Sequence, residues 1–256
     1  MADLVYPPVI AACKLWFKAT GMRVVVSGAE HIPPTGGAVL ASNHVSYLDF
    51  IFAGLAGVEV NRLTRFMAKD AVFRNKVSGP LMRGMRHIPV DREAGSASFR
   101  EALRALKDGE IVGIFPEATI SQSFTVKELK SGAVRLAQAA QVPLVPVAVW
   151  GGQRMFTKNQ PKALLSRRRH VFVQVGEPID VPRAADADEV TASLRARLQS
   201  LLDQLQRMTP EQPSGEADPW WHPAHLGGSA PTPEQAKVME DAERAARRQA
   251  RGTTSG

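Results

Sequence analysis

Ala38-Val39-Leu40-Ala41-Ser42-Asn43-His44-Val45-Ser46-Tyr47-Leu48-Asp49 is the stretch on which the fold turns. Gly36-Gly37 opens it, Ala38 to Ser42 reads as a strand, and a helix follows from about Tyr47 to Ala56. Ser46 is a good N-cap, and Asp49 three residues on completes a capping-box pattern. Working outward, Arg23–Ser27, Arg65–Ala68, Arg86–Val90, Ile111–Phe115, Leu144–Trp150 and His170–Val175 read as further strands. Pro8–Thr20, Ser96–Lys107, Leu129–Ala140 and Asp188–Met208 read as helices. Strands alternating with helices of this length predict an α/β fold, a single domain with a central mixed, largely parallel sheet flanked by helices. The N-terminal helix is amphipathic, with Trp16 and Phe17 beside Lys14 and Lys18, and suits either packing on the domain or a place in a membrane interface.

Composition narrows the class. The chain has 256 residues, 44% of them hydrophobic and 22% charged, with one cysteine. That is enough to bury a core and excludes a disordered, collagen-like or disulfide-stapled chain. No run approaches the roughly 18 apolar residues of a transmembrane helix, and the N-terminus does not resemble a secretory signal. The formal net charge of +7 favours anionic partners. Residues 61–104 hold 10 basic and 4 acidic groups, whereas 211–256 hold 5 and 7. After Met208 a Pro/Gly-rich stretch carries Trp220-Trp221, and a charged, Ala-rich helix follows from Pro233 to about Arg251. Residues 1–210 are thus expected to form the folded domain, with residues 211–256 a linker and peripheral helical tail.

His44 and Asp49 lie about 140° apart if both sit on one helix, so they share no face there. They meet if His44 lies in the turn and the helix starts just after it. A carboxylate on one imidazole nitrogen fixes the tautomer and raises the basicity of the other, which is what a general base needs. The bland alternative is a helix-capping Asp beside a loop histidine. Neighbouring sequence offers no nucleophile and no G-x-S-x-G elbow; Cys13 reads as a small apolar residue. His44 is therefore expected to activate a substrate hydroxyl. A second motif, Phe115-Pro116-Glu117-Ala118-Thr119-Ile120-Ser121, also follows a strand, so both motifs can face one crevice at strand C-termini.

Taken together, these blocks resemble the glycerolipid acyltransferase family. The N-H-x4-D block is present at Asn43, His44 and Asp49, and the F-P-E-G-T-R-S block is matched at residues 115–121. A glycine, an apolar stretch and Asp-Arg appear in Gly84-Met85-Arg86-His87-Ile88-Pro89-Val90-Asp91-Arg92. An apolar strand with an internal proline is seen in Val145-Pro146-Val147-Ala148-Val149, and Ala68-Lys69 also fits. The resemblance covers about residues 22–180. It implies transfer of a fatty acyl group from acyl-CoA or acyl carrier protein to the free hydroxyl, by default sn-2, of 1-acyl-glycerol-3-phosphate or another lysolipid. The product is then phosphatidic acid for phospholipid synthesis. His44 is the implied base and Asp49 its orienting group. Asn43, Lys69, Arg86, Arg92, Glu117, Thr119 and Ser121 are the implied substrate-binding residues. No cofactor or metal is implied; His222-Pro223-Ala224-His225 lacks Cys or carboxylate partners. An anionic membrane surface is the expected partner, on the cytoplasmic side of the cell membrane as a peripheral protein.

Two departures stand out. The family's third-block glycine is Ala118 and its arginine is Ile120. Arg83, Arg86, Arg92 or Lys69 is the expected replacement cation, unless the acceptor carries a larger head group. A thioesterase using His44 to activate water is the first rival. Nucleic-acid binding is the second, disfavoured because aromatic residues are only 6% and no such motif is present.

Overall fold

The structure is a computed structural model that describes residues 3–91, 95–211 and 218–252. Arg92 of the second block lies outside the described residues. Seven strands form one sheet: β1 (Arg23–Ser27), β2 (Ala38–Ser42), β3 (Thr64–Lys69), β4 (Ile88–Val90), β5 (Ile111–Ile114), β6 (Leu144–Trp150) and β7 (His170–Val175). Their order is β1-β7-β6-β2-β5-β3-β4. Every neighbouring pair is parallel except β6 and β7, so the sheet is mixed and largely parallel, as expected from the alternation of elements.

Burial explains why the central strands are continuous apolar runs. All five residues of β2 and all seven of β6 are buried, because helices cover both faces. Ala38 and Leu40 face one way, towards helices α1 (Tyr6–Thr20) and α2 (Asp49–Glu59), where they pack with Phe17, Phe52 and Val147. Val39 and Ala41 face the other way, towards α5 (Gly95–Lys107), α6 (Gly132–Ala140) and α7 (Ala187–Met208). There the core is built from Leu106, Leu136, Leu144, Trp150, Leu194 and Leu198.

Several boundaries differ from expectation for local reasons. Helices α3 (Asp70–Arg74) and α4 (Ser78–Gly84) occupy a stretch with no predicted element. Pro80 hides α4 from sequence reading, yet it sits in the first turn, where the missing N–H has no intrahelical partner to lose. Strand β4 starts at Ile88 rather than Arg86, since Arg86 adopts φ +57°. Helix α6 starts at Gly132 rather than Leu129, because the Lys130 N–H is held by the Pro116 carbonyl at 3.0 Å.

The tail after residue 217 is not merely peripheral. Trp221, His222 and Ala230 are buried, and Trp221 and Ala230 join the core beneath α7. Arg154 stacks its guanidinium 3.9 Å over the Trp221 ring. A final helix, α8 (Pro233–Gly252), buries Ala236 and leaves Val238 exposed.

Candidate active site

β2 and β5 are parallel neighbours, so the segments leaving their C-terminal ends emerge side by side. One segment carries His44 and the other Glu117. The His44 N–H donates to Glu117 Oε1 at 2.7 Å, and the Ser121 N–H donates to the His44 carbonyl at 2.7 Å. Glu117 Oε2 accepts the Lys127 N–H at 3.0 Å. Both oxygens of Glu117 therefore brace the two motif loops together. It was expected on the substrate; in the structure its carboxylate is turned onto backbone. Burial pushes this carboxyl up to about 7, while the Lys127 and His44 N–H bonds pull it down.

The helix does start after His44, at Asp49, and the pair meets as the geometry required. His44 Nδ1 lies 3.1 Å from Asp49 Oδ2. The same oxygen accepts the Val45 and Ser46 N–H groups, each at 2.7 Å. Burial raises the Asp49 carboxyl pKa, and the His44, Ser46 and Val45 donors oppose that shift. An oxygen already taking two N–H groups is an acceptor, so Nδ1 carries the proton and Nε2 is the unprotonated nitrogen. The expected capping box does not form: Leu48, not Ser46, is the N-cap, and Asp49 is the first helical residue. Asp49 reaches back to Ser46, but Ser46 Oγ accepts the Leu48 N–H at 3.1 Å and donates to the Phe156 carbonyl at 2.7 Å.

Aromatic packing fixes the imidazole plane. The Phe115 ring stacks on His44 with centroids 4.4 Å apart, and Phe66 stacks behind Phe115 at 5.8 Å. Phe66 can lie there because residue 113 is glycine: a Cβ at that position would stand 2.4 Å from the Phe66 ring. No spacing rule points to Phe66 or Gly113, which sequence reading missed.

The remaining expected residues divide. Asn43 is buried and closes the ladder to β6, donating to the Val149 carbonyl at 3.0 Å and accepting the Val149 N–H at 2.7 Å. Ser121 is buried and donates to the Thr125 carbonyl. Both hydrogen bond within the loops and strands that build the site. Arg86 pairs with Glu110, the residue just before β5, so it lies at the N-terminal edge of the sheet, away from His44. Arg83 donates to the Phe73 carbonyl. Lys69 ends β3 on the C-terminal edge and is exposed. Thr119 is at the site, and its hydroxyl contacts Lys127 Nζ and the Glu240 carboxylate of α8. Lys127 and Glu240 were not foreseen. They lie 8 and 121 residues from Thr119, at spacings that carry no signal.

A family profile described as Acyltransferase matches residues 23–150, half of the chain. The chain belongs to the acyltransferase family. The 1-acyl-sn-glycerol-3-phosphate acyltransferase of Bacillus subtilis is 32% identical over 201 residues, covering 74% of this chain and 98% of that one. The alpha form of the same enzyme from Mus musculus is 30% identical over 176 residues, 65% of this chain and 61% of its own. The crystal structure of PlsC from Thermotoga maritima superposes with a TM-score of 0.64 at 22% identity, covering 79% and 82% of the two chains. This family fold thus places both motif loops, and with them His44, at the C-terminal edge of the sheet.

Proposed function

We propose that this protein acylates 1-acyl-glycerol-3-phosphate at its free hydroxyl, sn-2 by default, to give phosphatidic acid for phospholipid synthesis. The observation that carries this reading is the His44–Asp49 pair at the strand ends, Nδ1 anchored and Nε2 free of any hydroxyl or thiol partner among the described residues. The names of the relatives support the choice of acceptor. His44 Nε2 takes the proton of the acceptor hydroxyl, and the oxygen attacks the thioester carbonyl. The tetrahedral adduct collapses with loss of the thiolate, which recovers the proton from the imidazolium that Asp49 stabilises. The step balances without a cofactor; acyl-CoA or acyl carrier protein is a co-substrate.

The acceptor and product are lipids, and the surface suits them. Leu4, Val5, Pro8, Val9, Trp16 and Leu81 line an apolar groove beside α1, of about 560 Å³. No helix among the described residues is long and apolar enough to cross a membrane. The reading is of a peripheral protein on an anionic, cytoplasmic membrane face.

The test is thiol release from acyl-CoA with and without lysophosphatidic acid. Release should depend on the acceptor and match phosphatidic acid formed, and His44→Ala should lower it by about 10²–10⁴ with the fold retained. Thiol release independent of acceptor would make the protein a hydrolase.

A further inference from the structure

The loop that should hold the acceptor's phosphate lacks the family arginine. Ile120 stands there, and it is buried with no charge to offer. A cation is nonetheless present, because Lys127 Nζ lies within hydrogen-bond distance of the Thr119 hydroxyl. Lys127 is one carboxylate removed from the catalytic histidine: Glu117 takes the Lys127 N–H on one oxygen and the His44 N–H on the other. Ammonium and hydroxyl converge on a single anion, the Glu240 carboxylate, at 2.5 and 3.2 Å. Lys127 and Glu240 are each only 17% exposed. One turn further along α8, Glu243 pairs with Lys158 and accepts from Asn159. The acidic tail is therefore held to the loop through Glu240 and to residues 158–159 through Glu243.

We propose that Lys127 and Thr119 form the subsite for the acceptor's phosphate, and that Glu240 fills it until acceptor arrives. A carboxylate and a phosphate monoester present the same chemistry to this pair, anionic oxygens accepting charge-assisted hydrogen bonds. The phosphate, with more charge and a third oxygen, displaces the carboxylate. Lys127 thereby replaces the missing arginine, and α8 becomes a competitor for the site. This inference rests on the acyltransferase reading above.

Initial rates with acyl-CoA test it, using lysophosphatidic acid and, separately, the phosphate-free 1-acylglycerol. Glu240→Gln should lower the KM for lysophosphatidic acid about three- to ten-fold, the factor by which a competing form populated at roughly 70–90% weakens apparent affinity. Lys127→Met should raise that KM at least about ten-fold, and Lys127→Arg should restore most of it. In the Lys127→Met background Glu240→Gln should bring no gain. Neither substitution should shift the KM for 1-acylglycerol. An unchanged KM for lysophosphatidic acid in Glu240→Gln, or equal shifts for both acceptors, overturns the subsite. Acceptor-independent thiol release by the wild-type protein would instead overturn the acyltransferase reading.

Discussion

One oxygen of Asp49 holds the Val45 and Ser46 N–H groups and His44 Nδ1 together, so it shapes the turn as well as the base. Asp49→Asn keeps the shape but offers an amide that cannot both stabilise an imidazolium and hold its tautomer. Acyl transfer should fall about 10³–10⁴-fold, read as acceptor-dependent thiol release, with thermal unfolding little changed. Glu117 makes a separate prediction, about stability. Its carboxyl is raised in the fold from an ordinary 4.5 to about 7, first by burial. Between those values the folded state binds the extra proton, so this group's contribution to stability is full below about 4.5 and is lost as pH rises through 7. Glu117→Gln fixes the neutral form and should flatten that loss. The difference in melting temperature, variant minus wild type, should grow in the variant's favour from pH 5 to pH 8. His87 titrates in the opposite sense, lowered to about 4 by burial and by Arg65, but it is common to both proteins and cancels in the difference. At this scale the sequence was partly legible. His44 and Asp49 were readable because their spacing to a strand end carries geometry. The brace made by Glu117 was not, since both of its partners are backbone groups, which carry no residue-type signal.

Among the elements, legibility followed burial. Strands β2 and β6 have the expected ends because apolar runs stop at polar or turn residues, and β7 because its valines alternate inward. Helix α3 escaped because it is only five residues long, and α4 because it carries Gly79-Pro80, punctuation that reads as a loop. The coupling of β3 and β5 to the site was not legible, since it passes through ring stacking rather than spacing. Gly113 of β5 seats Phe66 of β3, Phe66 backs Phe115, and Phe115 carries the His44 ring. Gly113→Ala should therefore do two things at once. A Cβ 2.4 Å from the Phe66 ring forces it to move, costing about 1–3 kcal/mol of stability as overpacking. The shift should also loosen Phe115 and lower kcat, although residue 113 touches no reacting atom. Chemical denaturation together with single-turnover rates would separate the two effects. A loss of stability with kcat intact would show that the stack is core packing only.

At the scale of the whole molecule, charge and apolar surface are arranged by the fold rather than by the chain's order. Within the basic stretch 61–104, Arg65 and Arg86 are turned away from the site: both face Glu110, and Arg65 also faces Asp3, towards the N-terminal ends of β3 and β5. The tail, expected as a linker and peripheral helix, supplies acidic partners to Lys127 and Lys158. Apolar exposure is similarly collected from distant segments. Leu4 and Leu15 of the N-terminal region, Val77 and Leu81 around α4, and Leu165, which adjoins the Leu164 carbonyl held by Trp16 Nε1, are all exposed, Leu15 at 67% and Leu165 at 81%. Lys14 and Lys18 on α1 and Arg74 on α3 are exposed as well. On the proposed membrane reading, such a face meets a bilayer with anionic head groups, where each buried leucine contributes about 1.5–3 kcal/mol and each nearby cation about 1 kcal/mol. Leu15→Asp with Leu165→Asp should lower partitioning onto vesicles containing anionic lipid by at least about ten-fold in a sedimentation assay. Raising salt should weaken wild-type binding without abolishing it, since the apolar part is unscreened. Transfer to a short-chain acceptor dissolved below its micelle concentration should stay at the wild-type rate, because neither leucine has a part in the proposed chemistry. Vesicle binding unchanged by the double substitution would move the docking face elsewhere on the molecule and leave this apolar surface without a role in it.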